Sequence, residues 1–280
     1  YSVFVCIVLT AIALNAKSFE TPKMSPFQPL KGEFAVGTVD VVWVDQSREE
    51  SLSNDKNDKR HLFIKIWYPA SKESIGSSAL APYIPSLNEF NNPEYYRPLS
   101  LLSSRSYLDV PIADEKEQYP VLIYNHGGGN TRFSSSFITE ELASQGYIVV
   151  SIDHPGYNLS ARFPDGYVVK NDWGREWYEK NATVLNDAPD KNKVVIGELQ
   201  TQYYEYLFDM WRRDAKFVLD KLELINKSDD FFAGHLDLNK IGMLGWSFGG
   251  ALSIQMTRDD PRVTAAVFYD GMLWGDVHQY

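Results

Sequence analysis

The chain has 280 residues, 44% of them apolar, and 37 acidic against 27 basic side chains give it a formal net charge of −10. That length suits one large buried core, and the acidic balance excludes nucleic acid or an anionic membrane surface as a partner held by bulk charge. The single cysteine, Cys6, excludes an intrachain disulfide framework.

Val3–Leu14 is an apolar run too short to span a bilayer, and Leu14-Asn15-Ala16 offers a cleavage site after it. The expectation is a partial signal peptide at 1–16 and export, to a secreted or periplasmic location. Residues 17–33 are Pro-bearing and polar, an extended lead-in. Phe34–Asp45 is Val-rich and alternating, which predicts a strand, and His61–Tyr68 predicts a second one closed by Pro69. The two form an expected antiparallel hairpin at a sheet edge, joined by a charged loop at 46–60. Residues 71–119 read as a long irregular segment.

Val121–Tyr124 predicts a buried strand that runs into Asn125-His126-Gly127-Gly128-Gly129. Ser134–Gln145 predicts a helix ended by Gly146, and Tyr147–Ile152 another apolar strand. This alternation of strand and helix predicts a mostly parallel α/β sheet. Residues 157–196 are weakly periodic and are expected to form a lid or rim. Glu198–Lys227 predicts a long amphipathic helix whose Tyr203, Leu207, Met210, Phe217, Leu219 and Leu222 face the core.

The most informative stretch follows. Ile241–Leu244 reads as a strand and Phe248–Met256 as a helix, with Gly245-Trp246-Ser247-Phe248-Gly249 between them. A G-x-S-x-G at a strand-to-helix turn lifts the hydroxyl clear of the sheet, and the helix amides point back at developing negative charge. Ser247 is the expected nucleophile. A hydroxyl attacks only once a base takes its proton, and that imidazole needs a carboxylate to orient it. Val263–Tyr269 predicts a further strand that delivers Asp270, the expected orienting acid. The amides of Phe248 and Gly128 are the expected oxyanion donors, and His126, Gly127, Gly129, His154 and Trp246 are candidate pocket residues.

The base is missing from this pattern. His278 is the only histidine after Asp270, and it follows with no intervening strand and helix to bring it back. His126 and His154 are expected to shape the oxyanion loop and its neighbouring turn, and His61 and His235 to be structural. The catalytic histidine is therefore expected beyond Tyr280, in a longer protein cut at both ends.

These residues resemble the platelet-activating factor acetylhydrolase family (plasma and intracellular type II) within the α/β-hydrolase superfamily. The likeness runs from about Val36 to Asp276 and includes Ile66-Trp67-Tyr68-Pro69, Asn125 to Gly129, Leu142 to Val149, Phe217 to Asp220, Gly245 to Gly250 and Tyr269-Asp270. It implies an α/β-hydrolase domain over 17–280, incomplete at its C-terminus, with Ser247 and Asp270 as triad members and Gly128 and Phe248 at the oxyanion. Trp246 departs from the histidine the family carries before its serine. The resemblance implies a carboxylic ester hydrolase that needs no metal and no cofactor. Its substrates would be short-chain or acetyl esters, 1-alkyl-2-acetylglycerophosphocholine-like phospholipids among them, met in solution or in transient contact with a lipid surface. That activity is implied for the full-length protein, and not for this stretch of chain by itself. The other readings are a general carboxylesterase, a dienelactone- or polyester-hydrolase-like enzyme, and a catalytically dead binding protein on the same scaffold.

Overall fold

The computed structural model describes residues 27–159, 162–169 and 193–270. The signal-like segment with Cys6, residues 170–192 of the expected lid, and His278 lie outside the described residues.

Among the described residues eight strands form one sheet: β1 Ala35–Glu49, β2 Lys59–Ala70, β3 Leu80–Pro82, β4 Ser103–Tyr107, β5 Tyr119–Asn125, β6 Ile148–Ile152, β7 Leu236–Trp246 and β8 Val263–Tyr269. Their order across the sheet is β3-β4-β1-β2-β6-β5-β7-β8. The half from β6 to β8 is parallel throughout, and β2 joins it through antiparallel pairing with β6. Among the described residues, no helix is long and apolar enough to cross a membrane.

The expected antiparallel hairpin of β1 and β2 forms, with Ala35 opposite Ala70 through Asp45 opposite Arg60, but it is longer than local propensity indicates. It also does not end the sheet. The segment read as irregular supplies β4, which pairs with β1 at Gly37 and Tyr107, and β3, which pairs with β4. Both are too short for an alternation signal to rise above the surrounding prolines.

The central strands are covered on both faces, as parallel sheets require. On one face Ile64, Ile66, Val121, Ile123, Val150, Ile152 and Met243 share a core with Trp211, Val218, Leu222, Ala251 and Leu252. Those partners come from two helices, Lys193–Ser228 and Phe248–Asp259. On the other face Val36, Trp67, Tyr124, Val149 and Leu244 pack with Ala143 of the helix Ser136–Ser144. In chain order these helices are α1 (Ser136–Ser144), α2 (Lys193–Ser228) and α3 (Phe248–Asp259).

The chain goes from β5 outward to β6, then returns across β5 to β7. That reversal puts a topological switch point at the carboxyl ends of β5 and β7, the kind of place where open α/β sheets take their ligands.

Candidate active site

β7 ends at Trp246 and α3 begins at Phe248, so Ser247 alone makes the turn, with φ 53° and ψ −120°. A side chain in that region costs about 1–3 kcal/mol and persists only where its surroundings enforce it. Here they do. The Ser247 amide donates to the Tyr269 carbonyl at 2.8 Å, and its own carbonyl accepts from the amides of Gly250 and Ala251 at 3.0 and 3.1 Å. The flanking glycines exist because backbones cross there. A Cβ on Gly249 would lie 2.3 Å from the carbonyl oxygens of both Asn125 and His126, and one on Gly245 would lie 2.4 Å from the Gly249 carbonyl. Behind the turn, Asn125 Nδ2 donates to Ser253 Oγ at 3.1 Å, and Ser253 Oγ donates to the Gly249 carbonyl at 2.8 Å. Ser247 itself stays partly exposed.

Asn125 pairs with Gly245 across β5 and β7, so the His126–Gly129 loop starts beside the serine turn. Gly127 lies under the indole of Trp246, and Gly128 lies against the phenol ring of Tyr157. The Gly129 amide donates to the Tyr157 carbonyl at 3.0 Å and the Asn130 amide to the Gly127 carbonyl at 3.2 Å. The Gly128 amide has no acceptor among the described residues. Phe248 is buried edge-on against Trp211, Phe208 and Tyr157, at ring separations of 4.9, 5.4 and 5.5 Å. Its side chain thus anchors the first turn of α3 while its amide stays at the turn.

Trp246 pairs with Tyr269 across β7 and β8, so Ser247 and Asp270 leave neighbouring strands in step. Asp270 is exposed, at φ 45°.

The two histidines on this edge point inward. His126 and His154 are fully buried. His126 Nδ1 is 2.7 Å from the Gly127 carbonyl oxygen, and its Nε2 accepts from the His154 amide at 3.3 Å. His154 stacks on Trp211 at 4.0 Å, and its Nδ1 lies 3.0 Å from Asp214 Oδ2. Arg60 then closes on Asp214, with Nε and Nη2 at 3.0 and 2.7 Å, and on Glu50 with Nη1 at 3.1 Å. Burial pushes His126 down to about 4 and also lowers His154, so both rings are neutral at neutral pH. Burial alone would raise the Asp214 carboxyl, yet Arg60 and His154 hold it well below the carboxylate range. Among the described residues no imidazole hydrogen-bonds to Ser247 or Asp270. His61 lies on β2, stacked on Tyr167 at 4.4 Å, and His235 lends its carbonyl to the Tyr119 amide.

Tyr157, Trp211 and Asp214 are the site neighbours that sequence reasoning missed. Trp211 and Asp214 sit one turn apart on α2 and carried only the signal of a core-facing stripe. Their contacts with His154 join segments far apart in the chain.

A serine alone on a strained strand-to-helix turn, beside a glycine loop at the switch point of a parallel sheet, defines an α/β-hydrolase scaffold. A ferulic acid esterase from Streptomyces cinnamoneus has the same fold, with a TM-score of 0.62 and 24% identity over 88% of this chain and 62% of that one. The chain belongs to the family described as platelet-activating factor acetylhydrolase, isoform II, which it matches over residues 20–276. It is 27% identical to the platelet-activating factor acetylhydrolase of Cavia porcellus over 77% of this chain and 52% of that protein. It is 31% identical to a protein of Arthroderma benhamiae named "Probable 1-alkyl-2-acetylglycerophosphocholine esterase", over 56% of this chain and 32% of that protein. The chain spans about half the length, or less, of the curated relatives it matches.

Proposed function

We propose that the full-length protein is a secreted or periplasmic serine ester hydrolase for short-chain and acetyl esters, with 1-alkyl-2-acetylglycerophosphocholine-like phospholipids as its preferred class. The observation that carries this reading is Ser247 held in a strained, partly exposed turn between two glycines that no larger residue could replace.

In this reading Ser247 Oγ loses its proton to a histidine and attacks the ester carbonyl. The carbonyl becomes a tetrahedral oxyanion that accepts from the amides of Gly128 and Phe248. Collapse expels the alcohol, which takes the proton from the imidazolium and leaves an acyl-serine. Water, deprotonated by the same imidazole, then releases the carboxylic acid and restores the serine. Asp270 orients and stabilises the imidazolium. The histidine is supplied from beyond Tyr280, a placement supported by the commitment of His126 and His154 to the core and by the greater length of the relatives.

Turnover of an sn-2 acetyl phospholipid against its long-chain counterpart by the full-length protein tests the substrate class. A kcat/KM higher for the acetyl ester is expected. Equal rates, or a preference for simple aryl esters over any phospholipid, would favour a general carboxylesterase, and no turnover of any ester a binding protein.

A further inference from the structure

We infer that His126 is a positioning residue: its Nδ1–H, donated to the Gly127 carbonyl, turns the Gly127–Gly128 peptide so that the Gly128 amide faces the oxyanion. This rests on the esterase reading above and assigns to a side chain the orientation of that reading's first donor.

Among the described residues no peptide bond is cis, and a trans peptide carries its C=O and N–H on opposite edges of one plane. Whatever holds the Gly127 oxygen inward therefore aims the Gly128 hydrogen outward. Two groups hold that oxygen, His126 Nδ1 at 2.7 Å and the Asn130 amide at 3.2 Å. Gly127 and Gly128 have no side chain to set the plane, and the rings of Trp246 and Tyr157 lie where their Cβ atoms would be. The plane is set from outside, by the imidazole and the Asn130 amide.

The same contacts dictate the proton's position on the ring. A carbonyl oxygen only accepts, so Nδ1 carries the hydrogen; the His154 amide only donates, so Nε2, at 3.3 Å, is bare. The other groups around the ring leave this assignment standing. Asp153 Oδ1 lies 3.7 Å from Nε2, but Arg132 already takes both Asp153 oxygens, through its amide at 2.6 Å and Nη1 at 2.8 Å. Trp211 meets the ring edge-on at 5.0 Å and the His154 ring lies at 5.6 Å, itself tied to Asp214 and through it to Arg60. Protonation of Nε2 would set one N–H against another and loosen the loop. With both nitrogens committed, His126 does not act as the base.

The test uses three variants of the full-length protein. His126→Asn keeps an amide donor near the place of Nδ1, His126→Gln moves it to the place of Nε2, and His126→Ala removes it. For an acetyl ester, kcat falls on the order of 100-fold in the Ala and Gln variants, as for a lost oxyanion donor, and returns to within about 10-fold of wild type in the Asn variant. KM stays within a few-fold throughout. A role in folding alone would not separate Asn from Gln at matched thermal midpoints. Equal losses in those two, or full activity in His126→Ala, overturns the inference. Nitrogen-15 NMR of the wild-type imidazole needs no variant to fold: a protonated Nδ1 is expected, and a protonated Nε2 with a bare Nδ1 overturns it. If the wild type neither hydrolyses esters nor takes a fluorophosphonate while Nδ1 is protonated, the esterase reading has failed and the hydrogen bond stands.

Discussion

The amide of Ser247 donates to the carbonyl of Tyr269 at 2.8 Å, one step beyond the point where β7 and β8 end their ladder at Trp246 and Tyr269. That bond ties the strained serine turn to the strand that delivers Asp270. The two residues emerge side by side, both at positive φ, 53° and 45°. Neighbouring strand ends are a rigid way to set a hydroxyl and a carboxylate on opposite sides of a third group.

Asp270 is exposed, so its replacement should leave the fold intact while removing the charge proposed to orient the histidine. In the full-length protein Asp270→Asn lowers kcat by about 10⁴, the loss expected when an imidazole is left in the wrong tautomer. Its thermal midpoint stays at the wild-type value. Steady-state kinetics beside a thermal melt checks both halves, and retained turnover would remove Asp270 from the mechanism.

Ser247 carries strain that glycine would not. Ser247→Gly is expected to abolish turnover and to stabilise the protein by about 1 kcal/mol, whereas Ser247→Ala abolishes turnover without that gain. Urea unfolding of the three proteins distinguishes them. Equal midpoints for the Gly and Ala variants would mean the turn is unstrained.

Asp214 neutralises the buried Arg60 and orients His154 beneath the loop. Asp214→Ala leaves Arg60 with Glu50 as its remaining buried partner and should cost about 3–5 kcal/mol, the range for breaking a buried pair from one side. A urea midpoint near wild type would show that Glu50 alone suffices.

Histidine burial makes stability depend on pH. His126 titrates near 4 in the folded chain against an ordinary 6.5, so the unfolded chain binds more protons between those values. Stability is therefore full above about pH 6.5 and falls as pH drops toward 4, by about 3 kcal/mol for this ring alone. His154, also lowered, adds loss of the same sign. Glu89, which burial pushes up, takes its proton earlier in the folded state and partly offsets the loss. Chemical denaturation across this range should give a shallower slope in His126→Asn than in wild type. Parallel slopes would contradict the burial argument.

Much of the scaffold was legible because its signals are local. Continuous apolar runs at β5, β6 and β8 and the glycine-framed Ser247 announce themselves within a dozen residues. What was illegible depends on distance along the chain. β3 and β4 are strands only because β1 offers an edge to pair with, and nothing near His154 points to Trp211 and Asp214.

Covalent labelling reads out whether Ser247 is an activated nucleophile. Treated with a fluorophosphonate, the full-length protein should gain one phosphonyl group, recovered by peptide mass mapping on the peptide that contains Ser247, and Ser247→Ala should gain none. A label on another residue, or an unmodified Ser247 in a folded full-length protein, would show that Ser247 is not the nucleophile.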